Sequence, residues 1–363
     1  MTILDTLTRF SNQYGADPDL VLAGGGNTSA KDGDVLYIKG SGTALATIPA
    51  EGFVRMDRKK LAAMWDKVYP DADDAREAAA LADLMAAKLP DQDGKRPSVE
   101  TLLHALFPQR YVLHLHPALV NGLTCAVDGA AWAGKLFPNA VWIEQCKPGY
   151  VLAKLCRSRM ADYKAATGRD ADVLLLQNHG VFFAADDPQT LGELLTGMLD
   201  VLRARYSEKP DFTPAETADA RLGSQLAALY GGAYRFNGCA EAVRFSESPA
   251  AMAPLMKPFS PDHIVYCKAF PLYLAHGGDA AAAFADYRAA YGYAPKLCYV
   301  QGSGFYALGE TDNQAATTEL LALDAIKIAV YSRAFGGPLP QNDALTDFII
   351  NWEVEAYRAK QAQ

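Results

Sequence analysis

The sequence predicts an α/β fold: a mixed central sheet covered by helices, followed by a smaller α/β unit. Strand-length apolar runs such as DVLYI, YVLHL and DVLLL alternate along the chain with segments of helical period. Glycine-rich turns join several of these runs directly, which implies that neighbouring strands pair with one another. Half of the 363 residues are apolar, enough for one large core or two ordinary ones. The net charge is −8, from 34 Lys and Arg against 42 Asp and Glu, without a basic tail or stripe to neutralise a phosphate backbone. Nucleic acid is therefore not an expected partner.

In chain order, MTILDTLTRFSNQYG has apolar residues spaced by three and four, with neither a basic leader nor a small-residue cleavage site. It reads as an amphipathic first helix rather than a signal peptide. No apolar run approaches the ~20 residues of a membrane helix. Cys125, Cys146, Cys156, Cys239, Cys267 and Cys298 are scattered without a CxxC pair, which fits a reduced, cytoplasmic setting. In LVLAGGGNTSAKDGDVLYIKGSGTALATI, two short apolar runs are joined by glycine-rich turns. Ser29 fills the third glycine position of a dinucleotide fingerprint, and DVLYI opens a strand where a helix is needed, so a Rossmann site is not expected. The turns, with Asn27, Thr28, Ser29, Ser41 and Gly42, offer amides and small hydroxyls that suit an anion; two plain hairpin turns are the alternative.

Residues 57–68 and 74–88 have helical spacing, with acids at the start of the second. After the loop KLPDQDGKRP, Ser98 is a natural N-cap for SVETLLHALF and places Glu100 in the first turn. Free amides at that helix start suit a phosphate, while dipole complementarity alone also accounts for Glu100. Further on, AVWI reads as a strand, Lys147 and Tyr150 as solvated loop residues, DDPQTLGELLTGMLDVLRARYSE as a long helix and SEKPDFTPAET as a linker.

YVLHLHP carries His114 and His116 at i, i+2, two of only six histidines in the chain. On a strand such residues project from one face, as two ligands of one metal must. A third imidazole, His179, sits in DVLLLQNHGVFFAAD, where a polar turn interrupts two apolar runs. Three imidazoles with an open fourth position suit Zn²⁺ or another divalent ion acting as a Lewis acid, whereas the pair alone is equally explained by core packing.

This order of features, together with GGGNTS at Gly24–Ser29 and GSGTAL at Gly40–Leu45, resembles the class II aldolase/adducin family. The similarity is greatest to the aldolase portion of rhamnulose-1-phosphate aldolase/dehydrogenase fusion enzymes. It covers roughly residues 1–205, and NWEVEAYR at the end looks like the region that precedes the dehydrogenase in those fusions, a portion not expected here. The resemblance implies a predominantly antiparallel sheet between helix layers and a homo-oligomer, usually a tetramer with its sites at subunit boundaries. It implies Glu100 as the acid/base, His114, His116 and His179 as zinc ligands, and Asn27, Ser41, Gly42 and Ser98 as phosphate-loop positions. Val99 stands where the family has a second serine, which removes one hydroxyl from the phosphate cup. The implied activity is cleavage of a ketose 1-phosphate of the rhamnulose or fuculose type to dihydroxyacetone phosphate and an aldehyde. Alternatives within the family are an epimerase, dehydratase or decarboxylase, and outside enzymology a metal-free interaction module like adducin.

The remaining stretch, 218–363, is expected to be a second α/β domain after a catalytic domain at 1–206. KLCYVQGSGFYALGETDNQ can be laid over DVLLLQNHGVFFAADDPQT, with Gln301–Gly304 on Gln177–Gly180. Tyr266-Cys267-Lys268 would then match His114-Leu115-His116. On this reading the second half is a degenerate repeat without metal ligands and plays a structural part; chance likeness of two strand–turn–strand–helix units is the alternative.

Overall fold

The computed structural model describes residues 2–92 and 94–352. Its first half contains helices α1 (Ile3–Gly15), α2 (Arg58–Ala63), α3 (Asp73–Ala86), α4 (Thr101–Leu106), α5 (Ala118–Thr124), α6 (Gly129–Leu136), α7 (Tyr150–Thr167) and α8 (Pro188–Arg205). Strands β1 (Asn27–Asp32), β2 (Val35–Lys39), β3 (Phe53–Asp57), β4 (Tyr111–Leu115), β5 (Val141–Ile143), β6 (Val173–Leu176) and β7 (Gly180–Ala185) form a seven-stranded sheet in the order β3-β2-β1-β4-β7-β6-β5. Every pairing in it is antiparallel except β5 with β6.

Side-chain alternation along the central strands sorts the core into two layers. Tyr111, Leu113 and Leu115 of β4 and Val181, Phe183 and Ala185 of β7 face α1, α5, α6 and α8, while Val112, Phe182 and Ala184 face α2, α3, α4 and α7. The expected mixed, mostly antiparallel sheet sandwiched by helices is therefore present. The polar run NTSAKD is the exception to a hydropathy reading, because it forms β1, buried in mid-sheet, rather than a turn. Thr28 bonds Ser11 at 2.7 Å and Ser29 bonds His104 at 2.7 Å, so neither hydroxyl belongs to an anion cup.

Residues 207–219 hold no helix or strand and lead into the second half, with α9 (Ala220–Tyr230), α10 (Ala240–Ser246), α11 (Pro249–Met252), α12 (Pro261–Cys267), α13 (Ala280–Tyr291), α14 (Asp312–Ser332) and α15 (Asp343–Asn351). Strands β8 (Ala233–Asn237), β9 (Leu272–Leu274), β10 (Leu297–Val300) and β11 (Gly304–Gly309) form a smaller sheet in the order β8-β11-β10-β9. That order repeats β4-β7-β6-β5, including the parallel pairing at one edge. Both sets carry a helix between the two parallel strands and a long helix after the last strand. Tyr266, Cys267 and Lys268 do not take the place of His114–His116, however. The run opening with Pro261 at a helix start is α12 and not a strand. Register places Phe236, opposite Tyr306, where His114 stands opposite Phe182. The two halves share apolar packing, since Ala118 and Cys125 of α5 and its C-cap lie in the same cluster as Leu321, Ile326 and Val330 of α14. Most of NWEVEAYR lies outside the described residues.

Candidate metal centre

β4 and β1 pair so that His114 lies opposite Asn27, and β4 and β7 pair so that His114 lies opposite Phe182. His116 follows one residue after the end of β4, on the same side of the chain, and its ring centroid is 4.7 Å from that of His114. His179 arrives from the turn between β6 and β7, with its ring 5.1 Å from His114 and 5.3 Å from His116. One nitrogen from each of the three rings lies within 4.8 Å of the others.

The turn that delivers His179 is held from several directions. Asn178 adopts the left-handed conformation at φ +56°, which asparagine tolerates better than most residues. Its amide donates to the Leu339 carbonyl at 2.7 Å and its side-chain oxygen accepts from Gln145 at 2.7 Å. Gly180 presses against β4, since a Cβ there would lie 2.5 Å from the Leu115 carbonyl oxygen.

Glu100 immediately precedes α4, and its side chain makes no capping bond. The helix thus begins at Thr101, two residues later than a Ser98 cap requires, and with six residues it offers no extended dipole to a phosphate. Ser98 Oγ instead accepts from the Glu100 amide at 3.2 Å, shaping the approach to the helix. The Glu100 carboxylate points at the imidazoles: Oε1 is 3.2 Å from His179 Nε2 and 3.4 Å from His114 Nε2. Oε2 accepts from the Asn27 amide at 2.6 Å. Burial alone raises the Glu100 carboxyl, but His114, His179 and the Asn27 amide outweigh it and hold the group well below the ordinary carboxylate range.

The donor set fits a divalent metal. Oε1 of Glu100 is fully buried and accepts no hydrogen bond, an orphaned charge beside converging ring nitrogens. Burial pushes His114 below the usual imidazole range, against the pull of Glu100. Its Nδ1 donates to the Val181 carbonyl at 3.0 Å, which turns Nε2 toward the cluster. The Nε2 atoms of His114 and His116 lie 2.9 Å apart and one nitrogen of His179 completes the group within 4.8 Å, so these three residues would hold the ion.

Several functional groups escaped sequence reasoning. His104, one helical turn after Glu100, bonds Asn27 Oδ1 through Nε2 and Ser29 through Nδ1, so it orients the Asn27 amide toward Glu100. Burial lowers its pKa to about 3, which keeps the ring in that neutral role. The i, i+4 spacing from Glu100 was the available signal. Lys39, only 4% exposed, lines the cleft beside Ser41; a lysine closing an apolar strand before Gly-Ser-Gly was its signal. Asp262, from α12, reaches His116 Nδ1 at 2.5 Å, and nothing local in sequence marks it.

The cleft over the imidazoles has about 610 Å³ of empty space, including its open mouth. Asn27, Ser41, Gly42, Ser98, Glu100, His116 and His179 all line it, along with Val99, Lys39 and Pro261. His114 lies behind them, fully buried. Lys147 pairs with Asp73 and Tyr150 opens α7, so neither enters the cleft.

An imidazole triad with a facing carboxylate, in the cleft of a helix-covered antiparallel sheet, defines a candidate metalloenzyme architecture. Residues 8–204 match the Class II Aldolase and Adducin N-terminal domain, and the chain belongs to that family. It is 30% identical over 199 residues to a Bacillus subtilis (strain 168) protein named uncharacterized oxidoreductase YuxG, a match covering 52% of this chain and 27% of that protein. This chain thus spans about a quarter of that relative's length. Among solved structures, the N-terminal class II aldolase domain of a conserved Thermoplasma acidophilum protein is 26% identical. It covers 56% of this chain and 93% of that one with a TM-score of 0.47. The l-fuculose-1-phosphate aldolase of Thermus thermophilus is 16% identical, over 55% of this chain and 92% of that one, with a TM-score of 0.36.

Proposed function

We propose that this chain is a divalent-metal-dependent aldolase that cleaves a ketose 1-phosphate of the rhamnulose or fuculose type into dihydroxyacetone phosphate and an aldehyde. The observation that carries the reading is the buried, hydrogen-bond-free Oε1 of Glu100 facing the Nε2 atoms of His114 and His179. A divalent cation held by His114, His116 and His179 supplies Lewis-acid polarisation of the substrate's carbonyl and adjacent hydroxyl oxygens. Asn27, Ser41, Gly42, Ser98 and the Lys39 ammonium occupy the same cleft and offer donors and positive charge to a phosphate. Val99 contributes no hydroxyl there, so the cup relies on that lysine. Glu100 takes up the C4 hydroxyl proton as the C3–C4 bond breaks and the aldehyde forms, the bond's electron pair stays on the three-carbon fragment, and Glu100 returns the proton to that carbon. Asn27, steadied by His104, keeps the carboxylate aimed at it.

The matching strand order of the two sheets supports reading residues 218–363 as a degenerate second copy beside a catalytic domain at 1–206. Phe236, Gly238 and Ser303 then stand at the positions of the three imidazoles. By analogy with the family, the assembly is a homo-oligomer.

The test begins with metal content of the purified protein, followed by a screen of ketose 1-phosphates for aldehyde and dihydroxyacetone phosphate release. Metal-dependent release supports the aldolase. A metal-loaded protein that instead epimerises, dehydrates or decarboxylates its substrate overturns the aldolase assignment while keeping the site.

A further inference from the structure

The second half of the chain reaches the metal centre through α12. Asp262, 4% exposed, places Oδ2 at 2.5 Å from His116 Nδ1, across 146 residues of sequence. One turn later on the same helix, Tyr266 Oη accepts the Gly24 amide N–H at 3.0 Å. The glycines in GGGNTS are spaced for this contact. A Cβ at Gly25 would lie 2.7 Å from Asp262 Oδ2 and 3.2 Å from His116 Nδ1, and one at Gly24 would lie 2.8 Å from Tyr266 Oη.

α12 is itself fixed from behind. The Cys267 thiol donates to the Thr318 carbonyl of α14 at 3.5 Å, and the Thr318 hydroxyl lies 3.3 Å from the Tyr266 carbonyl. The same half props the His179 turn, since Asn178 donates to Leu339. A metal-ligating imidazole needs its second nitrogen held, because that bond sets the tautomer and the ring's direction. His114 obtains it from the Val181 carbonyl of its own sheet, whereas His116 obtains it from a carboxylate of the other half.

We infer that Asp262 is a positioning residue of the metal centre, supplied in cis by the C-terminal half, and that the site is incomplete without it. A carboxylate accepting from Nδ1–H keeps the proton off Nε2 and makes that nitrogen the stronger donor. The expected role of this half as scaffold alone is thereby replaced by a direct one. The inference rests on the metal reading above and concerns metal affinity, not the identity of the sugar.

The test uses the full chain with Asp262→Asn, Asp262→Ala, Asp262→Glu and, as a packing control in the same helix, Ile264→Ala. Zinc affinity is read by competition with a chromogenic chelator, and ligand geometry by the visible spectrum of the cobalt-loaded protein. Asp262→Ala is expected to bind about 10–100-fold more weakly with an altered cobalt spectrum. Asp262→Asn should fall between it and wild type, and Asp262→Glu should recover part of the loss. Ile264→Ala should unfold at lower urea yet keep wild-type zinc affinity. Wild-type affinity and an unchanged cobalt spectrum in both Asp262→Ala and the isosteric Asp262→Asn overturn the assignment. Equal loss of affinity in Ile264→Ala also overturns it, by reducing Asp262 to general packing. A wild-type chain that takes up no divalent ion removes the metal reading itself, a result distinct from either.

Discussion

Gly180→Ala separates the cost of misplacing the His179 turn from the cost of general destabilisation. The added methyl would sit 2.5 Å from the Leu115 carbonyl oxygen and 2.7 Å from His116 Cδ2. Ordinary contact begins near 3.4 Å, so β7 and β4 must part by about 0.9 Å at this point, and the obstructing oxygen belongs to backbone that cannot swing away. Overpacking of this kind costs roughly 1–3 kcal/mol of stability. A metal site tolerates only about 0.2 Å at its ligands, so zinc affinity should fall further than stability, on the order of 100-fold. Gly197→Ala is the control. Gly197 lies inside α8 with nothing within 4 Å of the new methyl, and should gain roughly 0.5–1 kcal/mol while leaving zinc untouched. Urea unfolding measures the first quantity and chelator competition the second. A Gly180→Ala protein with wild-type zinc affinity would refute the placement of the turn as a determinant of the site.

Three further substitutions test separate parts of the structure. His179→Ala should abolish stoichiometric zinc, because no spare imidazole stands near the other two among the described residues; full metal content by elemental analysis would sink the triad. Glu100→Gln should retain metal and fold while slowing solvent proton exchange at the carbon beside the carbonyl of dihydroxyacetone phosphate by ~10²–10⁴, and unchanged exchange would remove Glu100 as the base. Lys31, 4% exposed with Nζ on the Gln109 carbonyl, has its pKa lowered to about 7, chiefly by burial. Between that value and the ordinary lysine value, the unfolded chain holds a proton that the folded chain lacks, so this group makes stability rise with pH across the window. Its ceiling is about 5 kcal/mol. Lys31→Met should therefore narrow its stability advantage over wild type from pH 6.5 to pH 9 in urea titrations, and parallel profiles would contradict the buried charge.

The parts of this molecule that follow period and local chemistry were legible from sequence. His114 and His116 needed only the alternation of a strand, and His179 only a polar turn between apolar runs. β1 was not legible as a strand, because Asn27, Thr28 and Ser29 are buried by bonding to Glu100, Ser11 and His104 rather than by apolar character. The same partners lie 73, 17 and 75 residues away in sequence, out of reach of any window. Ser98 looked like a cap because caps are recognised by residue type, yet the chain turns once more before Thr101 starts the helix. The strand pair β10-β11 and the long helix after it follow the expected pattern, whereas Tyr266, expected on a strand, lies in a helix that opens on Pro261, which hydropathy alone does not distinguish.

The bond between Asp262 and His116 also imposes an order of assembly. During synthesis the three imidazoles emerge when residue 179 does, while the carboxylate that braces one of them appears more than eighty residues later. Closing so long a loop adds only slowly to the entropic cost, about 0.6 kcal/mol for each doubling of length, but it delays the contact until α12 has docked. A ribosome-tethered chain halted before residue 262 thus presents all three imidazoles with one of them unbraced, and maturation of the centre becomes an event of late folding rather than of the first domain to form.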